Sequence, residues 1–82
     1  MNIFQYLLHG GVRLLISYNK LWKLLIDRNI NKTELRKSAG ISTNVIAKLG
    51  KGEPVSMETM MKICAALNYD IGDIIEVTNA KE

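Results

Sequence analysis

The stretch "ELRKSAGISTNVIAKL", residues 34–49, reads as two short amphipathic segments that meet at Gly40. Isolated helices shorter than about 12 residues are marginal in water, so neither half holds itself together without a surrounding core. Gly40 can take the left-handed conformation that ends the first segment, Ile41 then turns inward, and Ser42 can cap the second. The spacing predicts one helix from about Lys32 to Ala39 and the next from about Thr43 to Leu49.

Two helices of that length joined by so tight a turn form a helix-turn-helix. Working outward, the same local signal recurs: an apolar residue, a polar capping residue, and a second apolar residue four positions beyond the cap. The polar side chain caps the first-turn N–H groups while the apolar pair closes over it as a staple. The copies are Ile16, Ser17 and Leu21; Ile30, Asn31 and Leu35; Ile41, Ser42 and Ile46; Val55, Ser56 and Met60; and Tyr69, Asp70 and Ile74. They predict five helices. Glu34 and Asp73 stand three residues after their caps, where a carboxylate can reach back to the cap's own N–H. Gly40, the "GKGEP" stretch at 50–54 and Asn68 supply stops. In the fourth helix Met57, Met60, Cys64 and Leu67 share a face, widened by Met61 and Ile63; in the first, Tyr18, Leu21, Leu24 and Leu25 do, with Trp22 at the edge. No segment alternates at period two for long enough to predict a strand, so the expected fold is all-α and five-helical.

At 82 residues the chain has room for one core, and its 48% apolar and 23% charged content is that of a folding sequence. The single cysteine, Cys64, excludes an internal disulfide and suits a reducing compartment, so a cytoplasmic location is expected. The opening "MNIFQYLLHGGVRLLISY" is interrupted by His9, two glycines and Arg13, too broken for a membrane span, and it lacks the charge and cleavage pattern of a signal peptide. The net charge of +3 conceals a division. Residues 1–51 hold nine basic side chains against two acidic ones, a net of +7; the remainder holds two basic against six acidic, a net of −4. A basic end of this kind suits a polyanion, nucleic acid first.

With Leu35, Val45, Ile46 and Leu49 committed to the core, the outward face of the third helix is Thr43, Asn44, Ala47 and Lys48. An amide there can pair with adenine, an ammonium with guanine and a methyl with thymine on the floor of the major groove. Asn31, Lys32, Ser42 and Lys51 stand around it as phosphate contacts. The stretches "NKTELRKSAGIS", "STNVIAKLGKGEPVS", "METMMKICAALN" and "DIGDIIEV" together make residues 17–77 resemble a lambda repressor and Cro-like helix-turn-helix domain of the XRE family. "LWKLLIDR" in the first helix is similar to small stand-alone bacterial members. The resemblance implies a lambda repressor-like fold, a recognition helix at 43–49, and Lys32 at the first contact position of the second helix, where glutamine is common. Arg36 stands where that family usually has alanine at the helix crossing, and Ala39 where it usually has a larger aliphatic.

These readings give the domain residues 16–78 and leave a tail at 79–82. Residues 1–15 can lengthen the first helix, form a dimer contact or be an upstream extension, the last being preferred; His9 is expected as an exposed arm residue. The expected function is sequence-specific DNA binding in transcription regulation, with double-stranded DNA as partner. A single small domain makes few base contacts, so a homodimer reading two half-sites is expected. Ile71, Ile74, Ile75 and Val77 are the candidate pairing surface, their other role being to close the core. With one histidine, one cysteine, no metal-spaced cluster and a "GKG" that follows a helix rather than a strand, no enzyme, cofactor or metal site is expected. No membrane association or small-molecule effector is evident. The rival reading is a protein-interaction module, antitoxin-like or an adaptor, built on the same fold.

Overall fold

Three helices start where the capping signals put them, a fourth starts one residue later than expected, and all four are stopped by the same device. They are α1 (Asn19–Asp27), α2 (Lys32–Ala39), α3 (Thr43–Gly50) and α4 (Met57–Leu67). The computed structural model describes the backbone of residues 6–9 and 12–81 and the side chains of residues 15–77. Beyond each helix one residue turns left-handed: Asn29, Gly40, Gly52 and Asn68, at φ of 56°, 68°, 73° and 60°. The next N–H then reaches back five residues: Ile30 to the Leu25 carbonyl at 2.8 Å, Ile41 to Arg36 at 3.1 Å, Glu53 to Lys48 at 2.9 Å and Tyr69 to Cys64 at 3.1 Å. This closure satisfies carbonyls that a helix end leaves without partners. In "NIN", "GIS" and "NYD" the stop, an inward apolar residue and the next helical or 3-10 start occupy three consecutive positions.

The starts follow the same economy. Asn31 accepts from the Glu34 N–H at 2.8 Å while the Glu34 carboxylate accepts from the Asn31 N–H at 3.0 Å, a reciprocal capping box. Ser42 caps Val45 and Ser56 caps Thr59. The first expected start is corrected by one residue. Ser17 ends a β-strand, Tyr18 takes the cap position without a side-chain bond, and the Ser17 hydroxyl accepts from the Asn19 N–H at 3.3 Å. Tyr18 is drawn inward instead, and its hydroxyl donates to the Glu53 carbonyl at 2.7 Å. The expected fifth helix is a single 3-10 turn, Ile71–Asp73. It stops short because Ile74 drops into the core and the chain straightens into a strand from Glu76.

That strand overturns the all-α expectation: the fold is mostly helical with a three-stranded antiparallel sheet. β1 (Tyr6–His9) pairs with β2 (Val12–Ser17), and β2 pairs with β3 (Glu76–Lys81). The order is β1-β2-β3, with Val12 opposite Lys81 and Ser17 opposite Glu76, so the two ends of the chain meet in one ladder. The backbone of His9 lies in β1; its side chain, with those of the other residues before 15, lies outside the described part.

The core joins Tyr18, Leu21 and Leu25 of the first helical region to Leu35, Ala39, Ile41, Leu49, Met60, Ile63, Leu67 and Ile74. On α4 the buried stripe is Met60, Ile63 and Leu67, with Cys64 half-buried. Met57 and Met61, expected inward, are 63% and 65% exposed. The helix is rotated so that Ile63 is fully buried at the centre of its face, among core partners from the other elements, and Met57 and Met61 lie outside it. Arg28 fastens α1 to α4: its guanidinium donates to the Leu67 carbonyl at 2.6 Å and stands 5.6 Å from the Tyr69 ring centre. A cation there complements the negative end of the α4 dipole. No helix among the described residues is long and apolar enough to cross a membrane.

Candidate nucleic-acid interface

The turn between α2 and α3 is fixed by backbone chemistry on one side and burial on the other. Gly40, at φ 68° and ψ 37°, donates its N–H to the Arg36 carbonyl, which also takes the Ile41 N–H. Ile41 is then buried in the core and carries the chain direction with it. The Ser42 hydroxyl oxygen accepts the Val45 N–H at 3.2 Å and starts α3. Leu49 is 1% exposed and Val45 and Ile46 are half-buried, so α3 is anchored along one stripe. Leu35 and Ala39 of α2 pack beneath it; Arg36 is half-buried.

That anchoring decides what α3 shows to solvent. Thr43, Asn44, Ala47 and Lys48 are all exposed. The pairs Thr43 with Ala47 and Asn44 with Lys48 are four apart and stack along one side of the helix. The face is narrow, short-chained and carries one charge, so it can enter a groove without carrying bulk or a carboxylate with it.

Of the other sequence-predicted residues, Ser42 stands exposed at the start of α3, and Asn31, Lys32 and Lys51 fall into two neighbouring clefts that share Trp22 and Gly50. Asn31 and Lys32, at the start of α2, meet Gly50, at the end of α3, in a cleft of about 440 Å³ walled by Trp22 and Ile30. Lys51 lies across Trp22 in a second cleft of about 290 Å³, together with Ser17, Asn19 and Gly52. Asn31 and Ser42 spend their side-chain oxygens on capping, which leaves the Asn31 amide N–H groups and the Ser42 O–H as donors. The capping box takes up the N–H groups of Asn31 and Glu34, and those of Lys32 and Thr33 at the first turn point outward along the positive end of the helix.

Of the four residues considered for pairing, Ile74 is fully buried and holds the tail down from beneath. Ile75 is half-buried, while Ile71 and Val77 are 37% and 60% exposed. One contact had no counterpart in the sequence reading: the Lys32 ammonium stands 4.7 Å from the centre of the Trp22 ring. Trp22 and Lys32 lie on different helices, so no helical spacing relates them. Among the described residues there is no group of three or more histidine, cysteine, aspartate or glutamate side chains that could hold a metal ion.

Two short helices crossing through a left-handed glycine, the second presenting a small polar face beside exposed helix N-termini, make this a helix-turn-helix protein. The chain belongs to the Cro/C1-type HTH DNA-binding domain family, which it matches over residues 20–80. It is similar to a chain solved in the crystal structure of transcriptional regulator VanUg, with 53% sequence identity and a TM-score of 0.78. That match covers 90% of this chain and 96% of the other. No curated protein matches the chain.

Proposed function

We propose that the protein is a sequence-specific DNA-binding regulator of transcription that lays α3 in the major groove. The observation that carries this reading is the exposed face of Thr43, Asn44, Ala47 and Lys48 on a helix otherwise anchored in the core. Asn44 suits adenine, Lys48 guanine, and the Thr43 and Ala47 methyls thymine. Asn31, Lys32, Ser42 and Lys51 hold the flanking phosphates through ammonium groups, side-chain donors and first-turn N–H groups. The basic N-terminal stretch of the sequence supplies attraction at a distance.

The protein works as a homodimer on half-sites about 34 Å apart. Of the pairing candidates, Ile71 and Val77 form the reachable surface, with Ile75 at its edge and Ile74 supporting it. The DNA-binding unit is centred on 16–78, and residues 6–9, 12–15 and 79–81, expected as an arm and a tail, extend its sheet by strand pairing. The protein acts in the cytoplasm, without an enzymatic step, cofactor or small-molecule effector.

Salt dependence tests the reading. Affinity for duplex DNA falls steeply as salt rises, and Lys32→Ala or Lys51→Ala lowers the slope of log affinity against log salt by about one each. Affinity that is flat in salt, or absent for every duplex, would favour the protein-interaction module instead.

A further inference from the structure

Lys32 opens α2, the end at which a helix disfavours a cation. The surroundings account for its place. Its ammonium sits over the indole of Trp22 at 4.7 Å, within the range in which the negative face of the ring attracts a cation. On its other side runs the end of α3, close enough that a Cβ built on Gly50 would lie 3.9 Å from Lys32 Nζ. The ring itself is fixed, because Trp22 is half-buried on α1 and packs against the core. A lysine on a free surface samples many rotamers and loses that freedom when it grips a ligand. Here the ammonium is already held where three helices converge, beside the outward N–H groups of the first turn of α2.

We propose that Trp22 is a positioning residue for DNA: its indole face holds the Lys32 ammonium in place, and the ammonium keeps that contact while its free N–H groups take a backbone phosphate. This rests on the reading of the protein as a DNA binder with Lys32 at a phosphate. Trp22 touches no DNA in this scheme and acts only through Lys32. Because it is the sole tryptophan of the chain, its fluorescence reports the state of the contact.

The test is a double-mutant cycle in the full chain on a duplex selected from a random pool, with Trp22→Leu, Trp22→Phe, Lys32→Gln and the Trp22→Leu/Lys32→Gln double variant. Trp22→Leu weakens binding about two- to fivefold when Lys32 is present and has no effect once Lys32 is glutamine, as expected when the ring spares the lysine part of the ordering cost of gripping a phosphate. Trp22→Phe, which keeps an aromatic face, restores most of the loss. Lys32→Gln, a change at an exposed position, alters the Trp22 emission of the free protein and abolishes the emission change that DNA causes in the unaltered chain. Additive losses in the cycle, or an emission indifferent to Lys32→Gln, would overturn the proposal and leave the ring as core packing. If Trp22→Leu does not fold, Trp22→Phe and the emission of Lys32→Gln decide it. Failure of the unaltered chain to bind any duplex overturns the DNA reading and the phosphate role of Lys32 with it.

Discussion

Replacing Asn44 with alanine separates base reading from everything else the protein does. Asn44 is the second residue of α3 and is exposed, so its removal opens no cavity and strips no core contact. Alanine is the better helix former by up to roughly 0.7 kcal/mol, so the free protein keeps its stability or gains slightly. For a domain of this size that bounds the change in Tm to a rise of no more than about 5 °C. On the preferred duplex, loss of a two-bond amide–adenine contact costs about 1–3 kcal/mol, roughly 5- to 150-fold in Kd. On random DNA the attraction is to phosphates, and an uncharged amide contributes almost nothing to it. The assay is fluorescence anisotropy with a selected duplex and a scrambled one, at several salt concentrations, beside a thermal melt of the free protein. A fall confined to the selected duplex, with an unchanged salt slope and an unreduced Tm, is the expected result. Equal losses on both duplexes would refute the argument, because Asn44 would then contribute without reading a base.

Gly40→Ala places a Cβ on a left-handed residue and costs about 1 kcal/mol although nothing crowds the site, whereas Gly72→Ala, in open space without that backbone constraint, leaves the denaturant midpoint nearly unchanged. Met57→Gln and Met61→Gln shift stability by no more than about 0.5 kcal/mol, while Met60→Ala costs roughly 2–5 kcal/mol; urea titrations of the three variants would contradict the assigned α4 stripe if the order reversed. Burial raises the pKa of the Tyr18 phenol and of the Cys64 thiol, the latter also through Asp70 and Asp73. Both groups therefore hold their protons more tightly folded than unfolded. Stability is full below the unfolded values and declines as pH climbs past about 8.5 for the thiol and about 10 for the phenol, so melts that strengthen above pH 9 would show the sign to be wrong.

The α2–α3 unit was legible because its information is local. Asn31 and Glu34, Gly40 and Ile41, and Ser42 and Val45 each settle a helix boundary within a few residues, so the capping pattern gave the boundaries of both helices and the exposure of Thr43, Asn44, Ala47 and Lys48. Asn29 stops α1 without a glycine to mark it, although "NIN" carries the same stop-and-start order as "GIS". The β1–β2 hairpin left a weaker signal, two glycines between "YLLH" and "VRLLIS", and neither run alternates in the way that marks a half-buried strand.

By itself, then, the sequence determined where the chain turns helical, where each helix stops, and which short helix carries a polar face, since capping and left-handed termini are chemistry between near neighbours. Only the tertiary structure decided that residues 12–17 straighten against 76–81, that α4 rotates to bury Ile63 and leave Met57 and Met61 outside, and that Lys32 rests on Trp22. Ladder pairing, the rotation of a helix on a core and a cation over a distant ring are each chosen by partners remote in sequence, and the local pattern of residues is compatible with more than one such choice.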